Sequence, residues 1–179
     1  MDPEEQTPTP DDPSGPRDFW DRVYGALTLD ATVFEEVEHD PSAMTQAAVV
    51  VLIASVARGV GFGNLPASIL GGFIGWFVAT AVVWVVGIKI LEHTSDFREL
   101  LRTIGFATAP RVLLLLGVLP IGPLRVVLGL FVLVLVVVSF VVAVRQALDV
   151  QTDRAVFVCI VAAVLNVVPS LLLGGMAWL

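Results

Sequence analysis

Two clusters in this sequence gather side chains that could do chemistry. His39 stands among Glu35, Glu36, Glu38 and Asp40, and His93 stands between Glu92 and Asp96. Imidazole beside carboxylate is the donor set of a zinc site or of a general acid–base pair. A metal centre also needs ligands that converge from separate elements, each oriented by further hydrogen bonds. Here the acids follow one another along single short segments, the pattern of a solvated helix end, so no metal and no cofactor is expected. The chain has no Ser-His-Asp order with a nucleophile elbow, no paired Asp residues inside apolar segments, no glycine-rich dinucleotide fingerprint and no phosphate loop. With no catalytic residue to name, it reads as a protein that is not an enzyme.

The other polar suspects lie inside apolar runs, where an ionisable or hydrogen-bonding group is a functional candidate by default. They are Thr80, Thr108, Arg111, Ser139 and Asn166. Pro110 and Pro169 stand near two of them, and each removes a backbone N–H and is expected to kink its helix. Asn166, three residues before Pro169, could satisfy the carbonyl that the proline frees. Pro110, Arg111, Asn166 and Pro169 are therefore the candidate intramembrane polar and kink residues.

The elements that must position these groups are membrane spans. Between Arg125 and Arg145 lie nineteen residues, Val126 to Val144, without charge and with one polar side chain, Ser139. A helix of that length is roughly 28 Å long, close to the ~30 Å hydrocarbon thickness of a bilayer. Four more runs read the same way, and the expected fold is all-α: a polytopic helix bundle with five transmembrane helices, at about 43–61, 67–90, 103–119, 124–144 and 155–177. Gly61 to Pro66 and Pro120 to Pro123 are tight turns, so the third and fourth spans form an antiparallel hairpin. Asp96 and Glu99 have the spacing of a capping box ahead of the third span. In the second span Ala67, Gly71, Gly75 and Ala79 recur every four residues, the spacing that lets helix backbones approach closely in lipid; helix packing along that face is expected, rather than a pore lining.

Composition agrees. The chain of 179 residues is 56% hydrophobic, with a mean hydropathy of +0.88. Residues 1–40 hold twelve acids against Arg17 and Arg22, a net −10; the rest carry five acids against eight Lys and Arg, a net +3. Residues 1–17, with five prolines among acids, read as a disordered tail. Residues 18–42 read as short amphipathic helices: Phe19, Trp20, Val23, Tyr24 and Leu27 on one apolar face, then Asp30 as N-cap of a second helix with Phe34 and Val37 inward and Glu35, Glu36 and Glu38 outward. They dock on the protein's own cytoplasmic face or lie in the membrane interface, and docking is the expectation. The tail lacks a basic segment followed by a short apolar one, so no cleavable signal peptide is expected, and its acidity argues against nucleic acid.

Orientation follows from Lys and Arg. With the N-terminus inside, Arg17, Arg22, Lys89, Arg98, Arg102, Arg145 and Arg154 are inner, and Arg111, taken to lie in the inner third of its span, joins them by snorkelling. Arg58 and Arg125 are outer. That asymmetry places the N-terminus inside and, with five spans, the C-terminus outside.

Three segments resemble a known family. Phe97 to Pro110, with Gly105-Phe106-Ala107 and Pro110, looks like the Gly-Phe-Ala-x-x-Pro segment of Yip-domain proteins, the Ypt/Rab-interacting family. Val144 to Ala155 resembles the link between that domain's last two spans, and Gly25 to Ala43 is similar to its prokaryotic members. The resemblance runs from about Tyr24 to the C-terminus and implies an integral membrane protein without known catalysis. Eukaryotic members associate with prenylated Rab GTPases, but their long acidic cytosolic domain is here a tail of about forty residues. A prokaryotic plasma-membrane protein is expected, acting as a scaffold or adaptor with contacts on the cytoplasmic face. Its expected partners are the lipid bilayer, a cytoplasmic or intramembrane protein, or a second copy of itself. The alternative is a small permease or transport subunit, with Arg111 and Asn166 lining a path.

Overall fold

The computed structural model describes residues 17–91 and 96–172, with the side chains of 88–91 and 166–172 excepted. Among the described residues there are helices and no strand. In order they are α1 (Phe19–Leu27), α2 (Ala31–His39), α3 (Ala43–Phe62), α4 (Leu65–Leu91), α5 (Phe97–Phe106), a 3-10 helix (Ala109–Val118), α6 (Gly122–Ala147) and α7 (Thr152–Leu172). Among the described residues four stretches are long and apolar enough to cross a membrane: Ala43–Phe62, Leu65–Gly87, Phe97–Val118 and Gly122–Ala147. The expected fifth span coincides in part with α7, and its last residues, like the tail before Arg17, lie outside the described residues.

Local chemistry sets the boundaries. The Asp18 and Asp30 side chains cap α1 and α2 by accepting from Asp21 N and Thr32 N. Asp96 and Glu99 form the capping box that opens α5. α3 ends where Gly63 (φ 92°) and Asn64 (φ 62°) take the left-handed region, turning the chain into α4.

The third span departs from the expected kinked α-helix. α5 starts at Phe97, six residues before the expected Thr103, and stops at Phe106. Pro110 has no N–H to give the Phe106 carbonyl, and its ring would crowd it. The chain changes bonding pattern instead: Thr108 N donates to Gly105 O and Arg111 N to Thr108 O, each an i→i−3 bond. The 3-10 helix then runs ten residues, beyond the usual three or four. At about 2 Å rise per residue it covers roughly 20 Å, which with α5 completes a crossing.

The core lies toward one end of the bundle. Its largest fully buried side chains include Phe34, Val33 and Val37 of α2 and Leu100, Ile104 and Phe106 of α5. Every residue from Leu100 to Pro110 is buried. Trp76 of α4 donates its indole N–H to Leu101 O at 2.8 Å, and Gly105 makes room for it: a Cβ there would stand 2.8 Å from Ala47 Cβ and 3.2 Å from Trp76 Nε1. α6 is the opposite case. Val126, Val127, Leu130, Phe131 and Val134 are all more than half exposed, the surface a bilayer would cover.

Candidate functional site

The α2 end of the bundle carries a built polar unit. α1 presents the expected face in part: Phe19, Val23 and Leu27 pack against the core. Trp20 and Tyr24 are 66% and 69% exposed, whereas Arg22, Gly25 and Ala26 are buried. The reason is a close crossing with α2. A Cβ at Gly25 would lie 2.3 Å from Val33 Cγ2, so α1 rolls onto its smallest residues. The roll carries Arg22 inward, to 3% exposure, where it pairs with Glu36 and Asp40, each at 2.8 Å, and donates to Gln46 Oε1 at 2.9 Å. One guanidinium thus joins α1, α2 and α3. The spacing of large apolar residues does not reveal Arg22; the small pair Gly25-Ala26, at i+3 and i+4 from it, marks the face that it shares.

Arg102 does the same for α2 and α5. It is 7% exposed and donates Nε to Val37 O at 3.0 Å and Nη2 to Glu38 O. These are carbonyls of the last turn of α2, which the helix leaves unpaired and where a cation is favourable. Glu38, expected to point outward, is 8% exposed instead. Burial pushes its carboxyl up to about 7; His39 opposes that, and Asp149, Glu99 and Glu35 add to it. His39 Nδ1 is 2.9 Å from Glu35 O on its own helix. Among the described residues no three His, Cys, Asp or Glu side chains gather as a metal would need, and His93 lies outside them.

Beside this unit runs an apolar groove of about 300 Å³. Trp20, Val23, Tyr24 and Leu27 form one wall, α3 and the start of the 3-10 helix the other. The groove thus separates α1 from α3, and Trp20 and Tyr24 are exposed along it.

The turn end is held by Arg125. Its Nε donates to Gly117 O at 2.8 Å and its Nη2 to Gly61 O at 2.6 Å, and its guanidinium sits 5.7 Å from the centre of the Phe62 ring. Gly61 has no room for a side chain, since a Cβ would fall 1.9 Å from Leu114 O.

The hydroxyls inside the spans are mostly spent on their own helices. Thr80 donates to Trp76 O, Thr108 to Gly105 O and Ser55 to Val51 O. Ser139 Oγ is buried without a partner among the described residues. Against α3 the close approach of α4 is at Gly72: a Cβ at Gly71 would meet nothing within 4 Å, whereas one at Gly72 would lie 1.9 Å from Ser55 Oγ. Ala67, Gly71, Gly75 and Ala79 are all half-buried, while Ser68, Trp76 and Thr80 on the adjacent row are buried. Asn166 and Pro169 fall within α7, but their side chains lie outside the described set. Pro110 is buried. Arg111 is not on the α2 side of its span: it shares a small cavity with Arg58 and with Ser68 in the first turn of α4, so its guanidinium belongs with the turn end. Breaking the α-helix at Pro110 changes the rotation per residue and turns Arg111 toward α3 and α4.

Among the described residues, an all-helical bundle with four stretches long and apolar enough to cross a membrane, joined to a clamped pair of short helices, is the architecture of an integral membrane protein. The Yip1 domain matches residues 24–173. The chain belongs to the Yip1 family. No curated protein and no solved structure matches it.

Proposed function

We propose that this chain is a non-enzymatic membrane scaffold or adaptor whose α1–α2 unit offers its partner contacts from the cytoplasmic face of a prokaryotic plasma membrane. One observation carries the reading. Arg22 and Arg102 fix the unit to α3 and α5 through buried charge-assisted bonds, yet Trp20 and Tyr24 stay exposed beside an apolar groove. Aromatic side chains on a rigid support are the usual anchors of a protein contact. A permease needs a continuous polar path. Among the described residues Arg111 opens instead on a cavity of about 10 Å³, room for a single water. The partner is a protein or a second copy of the chain, and the lipid bilayer surrounds the remainder.

A photo-crosslinking amino acid at Trp20 or Tyr24, activated in native membranes, tests this. A discrete protein adduct, or a dimer of the chain, is expected. Adducts to lipid alone would make α1 a membrane anchor and overturn the adaptor reading.

A further inference from the structure

Arg58 of α3 and Arg111 of the 3-10 helix line one small cavity together with Ser55, Ser68, Gly71 and Gly72. We propose that this cavity is an oxyanion site taking a phosphate group, in which the two guanidiniums and the Ser68 hydroxyl hold one oxygen and the rest of the group lies at the mouth.

Four observations support it. Both arginines sit within stretches long and apolar enough to span a membrane. Among the described residues neither guanidinium has an ion pair or hydrogen bond, whereas those of Arg17, Arg22, Arg102, Arg125 and Arg145 all do; Arg98 and Arg154, whose side chains also lack one, are exposed. A cation within a span is costly and ordinarily finds an acid, a carbonyl or the interface. Here two like charges line one cavity, so each makes the other costlier, and a negative group shared between them relieves both.

The donors suit phosphate. A guanidinium is a planar fork of N–H groups that matches phosphate oxygens bidentately. Ser68 is 5% exposed and its hydroxyl has no partner among the described residues, so its proton is free for the cavity. Ser55 differs, because its proton already goes to Val51 O at 2.7 Å. Ser68 also lies in the first turn of α4, where the helix field favours an anion.

The space is cleared for the group. Gly71 carries nothing within 4 Å of where a Cβ would be, and a side chain at Gly72 would strike Ser55. The enclosed volume of about 10 Å³ admits one oxygen and no more. Arg58 stands four residues before the end of α3, roughly 6 Å along the axis and within reach of the headgroup layer. The phosphate can come from a phospholipid at that surface or from free inorganic phosphate.

The test uses the purified full chain in detergent. Three probes are added in turn: phosphatidylglycerol, diacylglycerol without a phosphate, and inorganic phosphate. Thermal stability and native mass spectra are recorded for each. Phosphatidylglycerol should raise Tm and remain as a mass adduct, whereas diacylglycerol should do neither. A comparable shift with inorganic phosphate would assign the same chemistry to the free ion; no shift with it assigns the lipid. Arg58→Gln or Arg111→Gln should weaken the response about 10- to 100-fold, and Ser68→Ala more than Ser55→Ala. Without added lipid the Gln variants should melt no lower than wild type, because each removes an uncompensated cation. Equal shifts with diacylglycerol and phosphatidylglycerol, or an undiminished response in both Gln variants, would overturn the proposal. If the Gln variants do not fold, the wild-type adduct decides: absence of a phosphate-containing adduct at saturating lipid overturns it equally.

Discussion

Glu38 is the residue whose protonation matters most at the α2 end. It faces Glu99 on α5, Asp149 in the link after α6, and Glu35 and His39 on its own helix, with the Arg102 guanidinium bound nearby to Glu38 O. Its pKa in the fold, about 7, lies above the 4.5 of an ordinary glutamate, and the cause is burial. The folded state therefore holds the proton more tightly than the unfolded one. The resulting stabilisation is complete below pH about 4.5 and is lost as pH rises through about 7. Glu38→Gln should remove that dependence. Between pH 5 and pH 8 wild-type Tm should fall more than that of the variant, and at pH 8 the variant should be the more stable by about 1–2 kcal/mol. Parallel melting curves across that range would place Glu38 in solvent.

At the scale of elements, the contact between α3 and α4 is decided by a shift of one residue. The ladder of Ala67, Gly71, Gly75 and Ala79 has the right period, but period alone does not say which row faces a neighbour. Ser68, Gly72, Trp76 and Thr80 share the same spacing, and Gly72 is where Ser55 comes close. Gly72→Ala should cost about 1–3 kcal/mol, because the methyl group must displace Ser55. Gly71→Ala, with open space above it, should be neutral or gain up to about 1 kcal/mol in helix propensity. Thermal melts of the two variants check this, and a larger loss at Gly71 would put Gly71 rather than Gly72 against α3. The third span makes a related point. Its hydropathy marks a crossing, but Pro110 divides it into an α-helix and a 3-10 helix, and the changed rotation sets Arg111 beside Arg58.

For the whole molecule, orientation rests on charge. With Arg111 moved to the turn end, seven Lys and Arg stand on the side of α1 and α2, and Arg58, Arg111 and Arg125 stand on the other. The asymmetry is smaller than the sequence suggested and keeps its sign, so α1 and α2 are expected inside. Cysteine labelling in cells measures it. Asn64→Cys, in the exposed turn between α3 and α4, should react with an impermeant reagent from outside. Gln151→Cys, exposed ahead of α7, should react only after permeabilisation. The reverse pattern would invert the protein and move the proposed partner surface to the other face.

The amino-acid sequence by itself determined the helical class, the membrane setting, the presence of turns within Gly61 to Pro66 and Pro120 to Pro123, and the caps at Asp30 and Asp96. Each depends on residues within a few positions of one another: hydropathy over a window, a capping side chain, a proline without an N–H. The resemblance to Yip-domain proteins also rested on such short segments, Phe97 to Pro110 among them. Tertiary structure decided what depends on the roll and crossing of separate helices. The turning of Trp20 outward and Arg22 inward came from Gly25 meeting Val33. The burial of Glu38, the capping of α2 by Arg102 sixty-five residues away, and the meeting of Arg58 with Arg111 came from contacts that no local period encodes. A helix's apolar surface states that it will be covered; which polar group is carried in with it is fixed only when the neighbouring backbone is in place.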